Sequence, residues 1–214
     1  PLLENTFEKG IDINQIIKKN NALISIFPGS RKSELDVLTP ILIDFIKLMN
    51  EKYKDFTFVF HLTKEYSEFT QGIIKKNKLN NCEVISDNKI KSHVLKKSVF
   101  AVSKSGTVSL EICNAKIPSI ILYKMSLINF FIIKMLVKVK YANIINIAAK
   151  EEIIPELLQS NCSPKKIFEH VSDFLDNPKK IDAQIKKTQL IINNFKTKNP
   201  SSLQAATALN KFLN

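Results

Sequence analysis

Short apolar runs alternate with amphipathic stretches from residue 22 to about 123. The segment 22–27, Ala-Leu-Ile-Ser-Ile-Phe, breaks off at Pro28-Gly29-Ser30, as a buried strand does on entering a turn. From 33 to 53 the spacing changes: Leu35, Leu38, Ile41, Leu42, Phe45, Ile46 and Met49 form one broad helical stripe. The same reading predicts further strands at 56–62, 82–85, 98–103 and 118–123, with helices at 65–78, 89–97 and 107–115. Alternation of this kind builds βαβ units with right-handed crossovers, hence an α/β fold with a Rossmann-like parallel sheet and flanking helices. After Tyr123 the pattern shifts to helices at 151–159, 164–176, 178–196 and 200–213, with Pro155, Pro164, Pro178 and Pro200 near their starts. Residues 1–20 are polar and mixed, with a short helix over 13–18.

Composition narrows the class. The 214 residues are 44% hydrophobic, which makes a globular chain with ample core. The net charge of +12 suits anionic partners: nucleic acid, phosphorylated small molecules or an anionic membrane surface. Cys82, Cys113 and Cys162 form no C-x-x-C pair, which argues against a disulfide framework or a zinc site and fits a reducing compartment. No apolar run reaches the ~18 residues of a membrane span. The chain opens on Pro1 rather than Met, as expected of a piece of a longer protein.

Ligands of doubly wound sheets bind outside the carboxyl ends of the strands. Two loops qualify. The first, Pro28 to Arg31, meets the start of a helix, where backbone N–H groups and the helix dipole attract an anion. Arg31 adds a donor fork suited to phosphate; read more plainly, Gly29 and Ser30 only make a βα turn and Arg31 is a solvated charge. The second loop is Lys104-Ser105-Gly106-Thr107, whose small residues allow close backbone approach, and Ser105 or Thr107 also suits a helix cap. Glu111 lies four residues on, along the same helix face, where a carboxylate can accept from a sugar diol or join a local ion pair.

These residues carry a resemblance. Pro1-Leu2-Leu3, Phe27-Pro28-Gly29-Ser30-Arg31 with Glu34, Ser105-Gly106-Thr107 with Leu110-Glu111, Pro118 to Tyr123-Lys124, Leu136-Val137-Lys138 with Tyr141, Asn146, and Pro155 to Gln159 occur in an order and spacing that resembles lipid-A-disaccharide synthase. That family is a two-domain GT-B-type glycosyltransferase, and the match lies along its C-terminal, donor-binding half. The resemblance implies transfer of 2,3-diacylglucosamine from UDP-2,3-diacylglucosamine to 2,3-diacylglucosamine 1-phosphate, releasing UDP. It further implies that Gly29, Ser30, Arg31, Ser105, Gly106 and Thr107 hold the donor phosphates, Glu111 the ribose, and that Asn146 lies at the donor. The acceptor pocket and catalytic base are expected in an N-terminal domain missing from these residues, so catalytic residues in this chain remain unknown and turnover by it alone is not expected. Without a D-x-D motif, no metal and no cofactor is expected, and protein cations stabilise the leaving group. The pattern departs from the family at two points: Ile145 precedes Asn146 where a proline is usual, and Lys150 stands in a glycine's place.

The resemblance also implies a layout and a location. Residues 1–20 would be an interdomain segment, 21–180 the nucleotide-sugar-binding domain, and 181–214 helices packing toward the missing domain. Without it, Leu203, Ala206, Leu209 and Leu213 would favour self-association into a homodimer. The apolar run 127–133, containing Phe130 and Phe131 and followed by Lys134, Lys138 and Lys140, reads either as an interfacial segment meeting acyl chains and anionic head groups or as a core helix with snorkelling lysines. The expected location is cytoplasmic, peripheral on the inner face of the bacterial inner membrane. His61, His93 and His170 fit no metal or nucleophile pattern. Two rivals stand: another GT-B transferase or sugar-nucleotide epimerase using the same loops, and a basic nucleic-acid-binding domain. The latter lacks aromatic–basic alternation and any recognised module, so no nucleic-acid partner is expected.

Overall fold

A computed structural model describes residues 22–125, 140–195, 206, 207, 209 and 210. Six parallel strands form one sheet in the order β3-β2-β1-β4-β5-β6. They are β1 (Ala22–Phe27), β2 (Phe56–His61), β3 (Cys82–Ile85), β4 (Ser98–Lys104), β5 (Ser119–Tyr123) and β6 (Glu156–Leu158). The helices are α1 (Lys32–Lys52), α2 (Lys64–Lys76), α3 (Asn88–Lys97), α4 (Val108–Asn114), α5 (Ile144–Ala149), α6 (Pro164–Leu175) and α7 (Pro178–Phe195).

Alternation along the central strands sends successive side chains to opposite faces. Ile24, Ile26, Phe58, Phe60, Phe100 and Val102 pack with Leu35, Leu42, Phe45 and Met49 of α1, and with Ile167, Val171 and Phe174 of α6. Phe45 meets Phe58 edge to face at 6.0 Å. Each such fully buried side chain contributes about 1.5–3 kcal/mol. On the other face, Val94 and Leu95 of α3, Ile112 and Cys113 of α4, Ile145 of α5 and Ile192 of α7 cover the alternate strand positions. Polar chemistry is threaded through this second face: Ser98 Oγ donates to the Val94 carbonyl (3.0 Å), and Ser25 Oγ lies 2.7 Å from Ser98 Oγ and 2.8 Å from His61 Nε2.

The region after β5 differs from the expectation. The helix expected over 151–159 is instead a turn, the edge strand β6 and a 3-10 turn at Gln159–Asn161. Ile153, Ile154, Leu157 and Leu158 mimic helical spacing, but the segment gains more by pairing with β5, where Ile121 N–H donates to the Pro155 carbonyl. Helix α5 was not expected. It ends at Lys150, which adopts φ 55° and ψ 21°, the left-handed region that glycine enters without steric cost. The residue standing in the family's glycine position is therefore in a glycine's conformation.

The boundary expected at 180/181 falls inside α7. Through its 178–195 span α7 packs against α4, α5 and α6. Buried Gln184 locks it there: its Oε1 accepts from Ser119 N–H (2.7 Å), and its Nε2 donates to the carbonyls of Ser119 (3.0 Å) and Ile153 (3.2 Å). Residues 1–20 and the run containing Phe130, Phe131, Lys134 and Lys138 lie outside the described residues. Among the described residues, no helix is long and apolar enough to cross a membrane.

Gln184→Ala leaves the Ser119 N–H buried without its acceptor. Urea denaturation is expected to show a loss of roughly 3 kcal/mol, the cost of orphaning buried polar groups; a loss below about 1 kcal/mol would mean that water replaces the amide.

Candidate nucleotide-sugar site

The strand order reverses direction between β1 and β4, and the loops leaving these two strands open on the same side of the sheet. Between them lies a cleft of about 330 Å³. Gly29, Ser30, Arg31, Ser105, Gly106, Thr107 and Glu111 all line it, so seven of the eight expected substrate-binding residues are brought together. Phe27, His61, Ile85, Asp87, Lys91, Lys104 and Glu34 complete much of the wall.

The first loop has a partner within the chain. Two of its N–H groups are already answered by Glu34: Oε2 accepts from Ser30 N–H (3.0 Å) and from Arg31 N–H (3.4 Å). Gly29 is required here. Its φ is +120°, and a Cβ would sit 2.4 Å from Glu34 Oε2. The other carboxylate oxygen of Glu34 pairs with Lys104 Nζ at 2.9 Å, tying the first loop to the second. Partial burial opposes ionisation of Glu34, yet the Lys104 ammonium and the Ser30 amide outweigh it and hold the carboxyl below its ordinary value. Arg31 is exposed and makes no ion pair among the described residues.

In the second loop Ser105 is buried and donates from Oγ to the Ala142 carbonyl (2.8 Å), while Ser109, not Ser105 or Thr107, bonds the Gly106 carbonyl. Thr107 occupies the N-cap position of α4 without a side-chain cap bond and lines the cleft. Glu111 pairs with Lys91 Nζ of α3 at 2.9 Å, with both side chains about a quarter exposed.

Asn146 is placed apart from the others. It is fully buried and does not line the cleft. Its Oδ1 accepts from Ile153 and Ile154 N–H, and its Nδ2 donates to the Ile154 carbonyl and to Glu156 Oε1. Glu156 also accepts from Ala142 and Asn143 N–H, so among the described residues Asn146 is linked to the cleft through the 142–143 backbone that holds Ser105.

Lys91, Lys104 and His61 were missed as site residues. Lys104 had a signal, standing directly before Ser105; Lys91 had none, since only the packing of α3 beside α4's end of the sheet brings it to Glu111. His61 is the floor: its ring stacks on Phe27 at 4.2 Å and 17°. Ser98 spends its proton on Val94, so Ser25 donates to Ser98 and accepts from His61 Nε2–H, which leaves Nδ1 unprotonated. Burial, and secondarily the Lys91 charge, push the His61 pKa down to about 3. Burial likewise pushes the Cys82 and Cys113 thiols up to about 12, so neither is a nucleophile. Among the described residues no group of three or more His, Cys, Asp and Glu could hold a metal ion.

A doubly wound sheet with a cation-bearing cleft at its switch point defines a Rossmann-like domain of the GT-B kind. It resembles the C-terminal domain of a glycosyl transferase group 1 family protein from Francisella tularensis (TM-score 0.55, 17% identity, 88% of this chain and 94% of that one). It also resembles UDP-GlcNAc 2-epimerase from Neisseria meningitidis, solved bound to UDP-GlcNAc (TM-score 0.56, 15% identity, 82% of this chain and 45% of that one). Sequence narrows the fold to one family: the lipid-A-disaccharide synthetase model matches residues 1–210, and the chain belongs to that family. Lipid-A-disaccharide synthase of Rickettsia prowazekii is 32% identical over 219 residues, covering 100% of this chain and 57% of that protein. The Sulfurihydrogenibium sp. synthase is 34% identical over 194 residues, covering 87% and 48%. The chain thus spans about half the length of the curated relatives it matches.

His61 predicts a pH dependence. A base whose folded pKa lies below its unfolded value of about 6.5 binds fewer protons folded than unfolded, so its contribution is complete above that pH and is lost as the pH falls toward 3. Unfolding free energy is expected to drop between pH 6.5 and 5 with a slope approaching ~1.4 kcal/mol per unit from this group. His61→Asn should flatten that slope; an unchanged slope would assign it elsewhere.

Proposed function

We propose that this chain is the donor-binding half of a lipid-A-disaccharide synthase. In this reading UDP-2,3-diacylglucosamine lies in the cleft between the β1 and β4 loops, and its sugar passes to 2,3-diacylglucosamine 1-phosphate. The observation that carries the reading is Arg31: an exposed guanidinium without an ion pair among the described residues, at the mouth of the cleft where both loops converge. The cleft's Lys91 and Lys104 are already paired with carboxylates.

The diphosphate sits against Arg31 and the Ser105–Thr107 loop, with Gly106 allowing close approach. As the glycosidic bond to UDP breaks, negative charge grows on the departing phosphate oxygen. The Arg31 guanidinium, permanently charged, stabilises it there through charge-assisted hydrogen bonds. Glu111 takes the ribose hydroxyls. Asn146 acts indirectly, by holding Glu156 and thereby the backbone beside Ser105. The base that deprotonates the acceptor hydroxyl, and the acceptor pocket, belong to sequence outside these 214 residues, as the greater length of the relatives suggests. Acylated substrates place the enzyme peripherally on an anionic membrane surface.

The fold is shared with an epimerase, so the same cleft also suits a sugar-nucleotide epimerase. Dependence on acyl chains separates the two.

Calorimetric titration with UDP tests the reading. Binding by the folded chain, weakened more than about tenfold (1.4 kcal/mol) in Arg31→Ala, is the expected result; equal affinity in the two proteins would remove Arg31 from the site. The 214-residue chain by itself is expected to form no disaccharide from the two acylated substrates, and measurable synthesis would overturn the division of labour proposed here.

A further inference from the structure

Lys91 lies on α3, outside both loop motifs, yet its ammonium reaches Glu111 on α4 at 2.9 Å. It is held from below as well. Its Nζ stands 5.6 Å from the centroid of Phe27, on the ring that stacks against buried His61. The helix that carries it is anchored at its start by Asp87, whose Oδ1 accepts from Lys89 N–H at 2.8 Å. Lys91, Phe27, Asp87 and Glu111 all line the same cleft. The ion pair engages Oε2 of Glu111, and a carboxylate keeps further lone pairs for other donors.

We propose that Lys91 is a positioning residue that fixes the Glu111 carboxylate for recognition of a cis-diol, so that α3 sets the discrimination between ribo- and deoxyribonucleotides. The assignment rests on the donor-site reading given above. A flexible glutamate at the mouth of a cleft pays rotamer entropy each time it meets a diol; one already clamped to a lysine does not. Lys91 itself contacts no ligand in this scheme, because its ammonium is engaged by Glu111 and stands over the Phe27 ring.

The test is calorimetry with three probes, UDP, 2′-deoxy-UDP and inorganic pyrophosphate, on the wild-type chain, Lys91→Met and Lys91→Arg, each checked for folding by thermal melting. The wild type is expected to prefer UDP over 2′-deoxy-UDP by about tenfold, the worth of one hydrogen bond to a charged acceptor. Lys91→Met should bring that ratio toward one while leaving pyrophosphate affinity unchanged, and Lys91→Arg, which keeps the ion pair, should retain the preference. If Lys91→Met keeps the wild-type ratio, or weakens all three probes alike, Lys91 does not position Glu111 and the inference falls while the donor-site reading stands. If the folded wild type binds pyrophosphate but not UDP, the donor-site reading fails and takes this inference with it.

Discussion

Everything at the cleft depends on one pairing, that of β1 with β4. The chain first builds outward from β1 through β2 to β3, then crosses back so that β4 pairs on the other edge of β1, with Ile26 opposite Val102 and Phe27 opposite Ser103. Because parallel strands leave the sheet in the same direction, this pairing puts Pro28 to Arg31 beside Lys104 to Thr107. Residues more than 70 apart in sequence become two walls of one site. The core supports the pairing on both faces, through Ile24, Phe100 and Val102 under α1 and α6 and through Phe27 and Ala101 under α3 and α4.

Across that junction the charges are arranged in pairs. Glu34 ties to Lys104, and Glu111 ties to Lys91, so two cations of a strongly basic chain are neutralised inside the cleft. Arg31 stands apart from both pairs. Both pairs are only partly buried, and solvent screening limits what they add to stability. Their consequence is geometric: they hold long side chains in single arrangements at a place where a ligand meets fixed groups. Glu34 also engages the Ser30 and Arg31 N–H groups, two backbone donors that the loop would otherwise offer to a phosphate.

Behind the cleft lies a polar scaffold with no direct part in it. Asn146 satisfies four polar groups from 153 to 156, and Glu156 passes that order to the 142–143 backbone and so to Ser105. A buried amide with every donor and acceptor engaged is expensive to replace. An asparagine at this point is therefore accounted for by structure before any contact with a donor sugar is invoked.

Local periodicity made the elements from 22 to 123 legible, because each is a long apolar run or stripe bounded by turn residues, and period two or 3.6 is a local property. The same logic misled over 151–159: Leu157 and Leu158 look helical in isolation, and only the open edge of β5 makes them a strand. The loops with Gly29, Ser30, Arg31 and Ser105 to Thr107 could be named from their residue types, since turn chemistry is also local. Their partners could not. The Glu34 capture of the first loop, the Lys91–Glu111 and Lys104–Glu34 pairs, the buried His61 with its bare Nδ1, and the withdrawal of Asn146 into the core all join residues from different elements. The sequence by itself therefore determined the α/β class and the two candidate loops, whereas the tertiary structure decided which charges face each other, because distance between side chains on separate elements is set by packing and not by spacing along the chain.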